Sequence, residues 1–270
     1  MIGHETGCLI CGRPLKYLES QTQMECCVCH RTFQSNTLCE DGHFVCDECH
    51  RGDQSSTVAI CVSSSSKDPS VILNDLMRMP GVHMHGPEHH ILVGSALLSA
   101  YRNAGNDVDL LKALSIMFER GRQVPGGACG LWGCCGAAVS CGMAYSIVTG
   151  STPLSGESWG RCNEMTSRCL SAIGSHGGPR CCKRDGYSAI TAAARFMNET
   201  LDAGIVVPTG IECGFSGSNQ QCIGDRCPFH VSTGRGRPRS CPSRWAWCRP
   251  RRPPPWSWPV SLLRRPGLRG

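Results

Sequence analysis

Aromatic residues are scarce in this chain, at 6% of its 270 positions. A core built on stacked rings is therefore excluded. The apolar volume must come from aliphatic, small and sulfur side chains, and thirty-two glycines point the same way, towards closely packed helices. Nothing at the start resembles a secretory leader, and none is expected: Met1 to Leu9 is short and polar and has no basic start. The expectation is a cytoplasmic protein whose cysteines face a reducing interior. Charge is absent between Arg122 and Glu157. That stretch has the length to cross a bilayer, but Gly and Cys dominate its first half, so a buried central helix is expected and no membrane span. Internal repeats are absent. Residues His230 to Gly270 contain no Lys, Asp or Glu, yet hold ten Arg, eight Pro and four of the six Trp. Without those arginines the formal charge of +6 becomes −4. The remaining body is acidic, which argues against a nucleic-acid partner. Arginine without lysine, mixed with Pro, Trp, Gly and Ser, is what out-of-frame reading of GC-rich DNA produces. Residues 231–270 are accordingly expected to be a frameshifted or disordered tail, with Cys241 and Cys248 set aside.

What is abundant is cysteine, at twenty-two residues. Cys8, Cys11, Cys26, Cys29, Cys39, His43, Cys46 and Cys49 form a series C-x2-C, C-x2-C, C-x3-H-x2-C-x2-C. Four ligand pairs are what two tetrahedral ions need, zinc first and iron second. A segment this short cannot bury much of a core, so metal would supply its folding free energy. A disulfide framework is the competing reading, set back by the reducing compartment. Cross-braced pairing joins Cys8, Cys11, Cys39 and His43 on one ion and Cys26, Cys29, Cys46 and Cys49 on the other; sequential pairing is the alternative. Cys27 and His50 adjoin ligands and are expected to be spare. Residues 38–49 resemble the middle of a RING-type finger, but the extra pair precedes that stretch instead of following it, so ubiquitin-ligase activity is not expected.

The expected fold is a small zinc-stabilised module of treble-clef or cross-brace type over residues 1–51, a polar linker over 52–67, and a mostly α-helical domain over 68–230. Asp68 caps a helix with Pro69 at its first position, ending near Met79 before Pro80-Gly81. Further helices are predicted from Pro87 to Tyr101, from a cap at Asn106 or Asp107 to Arg120, from Gly126-Gly127 to Ile147, from Glu157 to Ile173, and from Asp185 to Leu201, closed by Gly204. Ile205 to Val207 reads as a short strand.

Four constellations carry chemistry. His83 and the run Met84-His85-Gly86-Pro87-Glu88-His89-His90 crowd imidazoles at a helix start, where the helix dipole favours the neutral, metal-binding or basic form. Glu88 would orient a ring or shuttle a proton; surface or capping histidines are the plain alternative. In Gly126 to Ala138, Cys129, Cys134 and Cys135 sit near a helix start, among Gly127, Gly130, Gly133 and Gly136, which recur every third residue. Cys134 and Cys141 would share one helix face. Cys181 and Cys182 precede a helix beside Arg180, Lys183 and Arg184. Cationic neighbours and free amides are expected to lower these thiol pKa values; buried packing is the alternative. Cys213, Cys222 and Cys227 offer three cofactor-binding thiols that need a fourth ligand from elsewhere.

The motifs CLICG, MECCVCH, CEDGHFVCDECH, MHGPEHH, GACGLWGCCGAA, GGPRCCKRD and CIGDRCPF, spread over about residues 5–230, resemble the family known as domain of unknown function 5714, found in anaerobic prokaryotes. The GACG and GCCGAA stretch is similar, more loosely, to the C-GCAxxG-C-C redox-active family. Some members of the first family carry a methyltransferase domain; this chain has no glycine-rich strand–turn–helix loop of that kind. The resemblance implies redox work by cysteines in an anaerobe. Together the readings give a metal-binding protein with two zinc ions and a redox-active or iron–sulfur helical domain. Cys129, Cys134, Cys135, Cys181 and Cys182 would carry the chemistry, helped by His85, Glu88, His89 and His90. The alternative is a non-catalytic zinc adaptor for a methyltransferase or redox partner.

Overall fold

Threonine- and aromatic-containing polar stretches suit an exposed antiparallel pair. The computed structural model describes residues 7–50 and 54–231. In it β1 (Leu15–Glu25) and β2 (Thr32–Cys39) form a hairpin, with Leu15 opposite Cys39 and Glu25 opposite Thr32 and an irregularity between Tyr17 and Thr22. Both strands are largely exposed. Two strands without an apolar face are marginal alone, so something other than a core must hold them. A short helix α1 (Asp47–His50) follows.

Residues 54–63 correct the expected linker: they form helix α2 (Gln54–Ser63). Thr57 and Cys61, one turn apart, are buried. The end of α2 is satisfied from outside. Ser99 Oγ donates to the Cys61 carbonyl at 2.7 Å, Arg102 to the Val62 and Ser64 carbonyls, and Asn103 to those of Ser64 and Ser66. Polar tertiary partners, and not sequence periodicity, make this helix.

In α3 (Pro69–Met77), Asp68 caps as expected, accepting from the Ser70 amide at 2.8 Å. Helix α4 (His89–Asn103) is the axis of the body, with every residue from His89 to Ala100 buried. Such a helix is apolar all round because other helices cover every side. Helix α5 (Leu110–Gly121) is capped by Asp109. Asn106 instead donates to the Tyr101 and Ala203 carbonyls. The expected helix from residue 126 to 147 is broken into α6 (Ala128–Leu131) and α7 (Gly136–Thr149), with Gly133 at φ +65° between them. Cys134 and Cys141 therefore do not share a helix face. Helix α7 lies close on α4 because small residues meet: a Cβ on Gly94 would stand 2.8 Å from the Ser140 carbonyl oxygen. Helices α8 (Glu157–Gly174) and α9 (Cys182–Leu201) complete the body. Residues 205–207 are not a strand; Val206 N donates to Lys67 O, and Ile205 exchanges bonds with Asn198. The loop beyond carries two single 3-10 turns, Ser216–Ser218 and Gly224–Arg226. No helix among the described residues is long and apolar enough to cross a membrane. The tail expected over 231–270 lies, after Val231, outside the described residues.

Candidate metal and thiol centres

The hairpin sorts the N-terminal ligands. Cys8 and Cys11 precede β1, and Cys39 and His43 follow β2, so all four meet at its open end. Cys26 and Cys29 form its closing turn, and the chain after His43 runs back along it, with Cys27 N donating to Phe44 O at 2.9 Å. That return delivers Cys46 and Cys49, on α1, to the closed end. The donor atoms of Cys8, Cys11, Cys39 and His43 lie within 4.8 Å of one another, as do those of Cys26, Cys29, Cys46 and Cys49. The grouping is the interleaved one.

Distances decide between a metal and a disulfide. Cys11 and Cys39 sulfurs are 3.8 Å apart, and Cys29 and Cys46 sulfurs 3.7 Å. A disulfide needs about 2.05 Å. Two sulfurs each about 2.3 Å from one ion at the tetrahedral angle stand about 3.8 Å apart. His43 Nδ1 is 3.4 Å from both Cys11 and Cys39 sulfurs, so this nitrogen is the donor. Backbone amides orient the sulfurs: Ile10 N to Cys8, Val28 N and Cys46 N to Cys26, and His43 N to Cys39. Within the second set the thiols pull apart. The Arg31 amide heads the contacts that draw Cys29 down to about 6, while burial pushes Cys49 up. Four crowded thiols cannot all ionise without a cation to share. The two sets could each hold a metal ion.

Several ties join the module to the body. Asp47 accepts from the Gly126 amide at 3.0 Å, Arg180 bonds the Tyr17 hydroxyl, and His50 Nδ1 lies 3.0 Å from Glu88 Oε2. His50 was expected to be spare; it is a docking residue. Glu88 is 2% exposed and also accepts from the His83 amide at 3.0 Å. Burial alone would raise its pKa, but the bonds from His50 and His83 hold it well below the carboxylate range. Burial alone would lower His50, yet the Glu88 bond and charge leave it raised. Sequence periodicity could not find this pair, because the partners are 38 positions apart.

Between module and body lies a cavity of about 660 Å³, lined by Tyr17, Cys129, Cys135, Arg180, Arg184 and Asp185 among others. A smaller adjoining one reaches His85, His90, Cys129 and Cys182. Cys129, Cys135, Cys182, His85 and His90 are thus brought to one interface. Cys134 is not among the residues lining either space. Glu88 stays inside as the docking clamp. His89 is fully enclosed, its Nδ1 bonded to Gly86 O and its Nε2 without a partner, and burial pushes its pKa down to about 3. His85 falls to about 4 for the same reason. Both shifts favour the neutral ring; for His89 that form was expected from the helix dipole, and burial is what produces it. His90 donates to Val124 O, and its ring occupies the space that a side chain at position 136 would need.

The expectation of lowered thiol pKa values fails at three positions. Burial raises Cys181, Cys182 and Cys135, the last to about 12. The cations that were to lower them are engaged elsewhere. Lys183 is 1% exposed and donates to the Met77 and His83 carbonyls, and Arg184 pairs with Asp185 at 3.1 Å. Desolvation wins over charge here. Cys141 and Cys169 are plain core residues. The glycines at 127, 130, 133 and 136 do not form one face, since the break at Gly133 separates them.

Cys181, the N-cap of α9, points away from this interface. It lines a second, small cavity with Cys213, Cys222 and Cys227. Cys182, next in sequence, lines the smaller of the two interface cavities, so α9 starts between two groups of sulfur.

The fold and these centres define a helical protein capped by a Cys/His module with two sets of metal-type ligands. Residues 57–230 match the family of unknown function DUF5714, and the chain belongs to that family. The matched span is the helical body and its C-terminal loop; the hairpin module precedes it. No curated protein and no solved structure matches the chain.

Proposed function

We propose that this protein is a two-zinc metalloprotein whose module closes a helical body over a sulfur-lined redox cavity. The observation that carries it is the pair of interleaved ligand sets with tetrahedral edges. Zinc suits three thiolates with one imidazole, and four thiolates, equally well. The ions are structural: each set is complete in four protein ligands and leaves no open position, and the exposed hairpin buries too little of its own surface to fold by itself. Docking through Asp47, His50 and Tyr17 then makes the module one wall of the cavity.

Inside, the chemistry falls to Cys129, Cys135 and Cys182. Burial raises the thiol pKa values of Cys135 and Cys182, which makes these two poor nucleophiles as they stand. They are good ligands, because a metal displaces the proton that burial retains. The cavity therefore reads as a place where sulfur binds a metal or cluster and moves electrons, as expected for an anaerobe's redox protein. Arg180, half-buried and lining the cavity, gives it a cation for an anionic substrate or partner. Anaerobic purification with metal analysis and visible spectroscopy tests this. About two zinc ions per chain and a redox-active chromophore support it. A colourless protein with zinc alone, unchanged by Cys129→Ser, would refute the redox part.

A second reading, a zinc adaptor docking a partner enzyme such as a methyltransferase, is favoured by the exposed Leu131 and Trp132 at the end of α6. An adaptor keeps its partner in pull-downs when Cys129 and Cys135 become serine.

A further inference from the structure

We infer that Cys181, Cys213, Cys222 and Cys227 hold a [4Fe–4S] cluster between the start of α9 and the C-terminal loop, with Cys181 supplying the fourth ligand that the other three lack. This deepens the redox reading above by placing a cluster outside the interface cavity.

The four sulfurs line one small cavity, also walled by Met84, Phe215 and Phe229. Each is half-buried or buried, and none is in a disulfide. Amides are already aimed at them. Phe215 N donates to Cys213 Sγ and Gly224 N to Cys222 Sγ, both at 3.4 Å from the residue two positions on. The same i to i+2 contact orients Cys8 and Cys26 in the zinc-type sets. Cys181 Sγ accepts twice, from Arg184 N and from Asn219 Nδ2, at 3.4 Å each. A thiol packed as a hydrophobe needs no such donors; a ligand thiolate does.

Spacing chooses the occupant. A single ion needs all its donors close, and these four sulfurs, unlike the donors of either N-terminal set, do not all lie within 4.8 Å of one another. They are too far apart for one zinc, yet share one space. That space is about 20 Å³, which excludes an organic ligand. An inorganic core fits where an organic one cannot, because metal–sulfur bonds of about 2.3 Å bring its irons inside van der Waals distance of each sulfur. On assembly each thiol loses its proton to solvent and forms one iron–sulfur bond, leaving the cluster anionic. Lys183 Nζ, bonded to the Met77 and His83 carbonyls, lies 4.8 Å from the ring centroid of Phe215, one of the cavity walls. The Cys-Pro at 227–228 closes the run, as in some cluster-binding loops.

The test uses the full chain, anaerobically reconstituted with equal ferric and ferrous iron and inorganic sulfide in the presence of zinc. About four iron and four sulfide per chain are expected, with broad visible absorption that bleaches on dithionite reduction. The Cys213→Ser/Cys222→Ser pair loses this chromophore and keeps its zinc and helical circular dichroism. Cys27→Ser, at an exposed thiol outside every ligand set, keeps it. Asn219→Ala, a milder change, keeps the chromophore and shifts its midpoint potential to more negative values, because an N–H donor to a ligand sulfur stabilises the reduced cluster. A chromophore that survives in the first pair, or zinc in place of iron at these thiols, overturns the inference. So does an Asn219→Ala midpoint that does not move, which would remove Cys181 from the ligands. Loss of the chromophore only in a Cys129→Ser/Cys135→Ser variant would overturn it while sustaining the redox cavity, and the zinc count reads the module separately from both.

Discussion

Glu88→Gln is the most direct test of how the module is held. The carboxylate is 2% exposed, lies 3.0 Å from His50 Nδ1 and accepts from the His83 amide at 3.0 Å. Glutamine keeps the shape and can still accept from the amide. It loses the charge that holds His50 and that faces buried Lys183. Removing one partner of a buried ion pair costs about 3–5 kcal/mol, and a retained amide bond returns about 1 kcal/mol of it. The expected loss is about 2–4 kcal/mol, at least a 30-fold change in the folded ratio. The sign of the pH dependence follows from the shifts. Glu88 has a folded pKa below its ordinary value, so its stabilisation is present above about 4.5 and is lost as pH falls towards the folded pKa. His50 has a raised folded pKa, so its part is full below about 6.5 and is lost as pH rises through the folded value. The gap between wild type and variant is therefore widest from about pH 4.5 to 6.5. Urea unfolding of the zinc-loaded protein at several pH values measures it. A gap under about 1 kcal/mol, or one flat across pH, would refute the reasoning.

Other expectations are simpler. Cys39→Ala should lower zinc from about two ions to about one per chain, since the interleaved sets are separate; losing both would mean that they fold only together. Gly94→Ala should destabilise the body by about 1–3 kcal/mol in thermal unfolding, because the new methyl meets the Ser140 carbonyl at 2.8 Å and α7 must move away. Native alkylation at neutral pH, followed by mass spectrometry, should mark exposed Cys27 first and leave Cys61 and Cys141 to last, since burial raises both and takes Cys61 to about 12. Early modification of Cys61 would mean that the α2–α4 packing opens readily.

Much of the local organisation was legible. The Asp68-Pro69 start and the C-x2-C pairs are statements about neighbours in sequence, where capping and ligand spacing act directly; the break at Gly133, inside a stretch expected to be one helix, was not legible. Helix α2 was not legible, because its serines conceal a burial of Thr57 and Cys61 that exists only against α4. The thiol pKa values were misjudged for a related reason. Lys183 and Arg184 adjoin Cys182 in sequence, but their charges are spent on carbonyls and on Asp185, leaving burial to set the direction.

Read alone, the sequence determined which atoms could bind metal, since ligand type and short spacing are chemical facts of the chain. It also determined a helical body, through caps and apolar periodicity. Only the tertiary structure decided which ligands share an ion, because a hairpin brings residues 28 apart to one end. The fold likewise set His50 against Glu88 and turned Cys181 and Cys182 to different cavities. Such pairings depend on how the chain returns upon itself, and no local rule encodes that path.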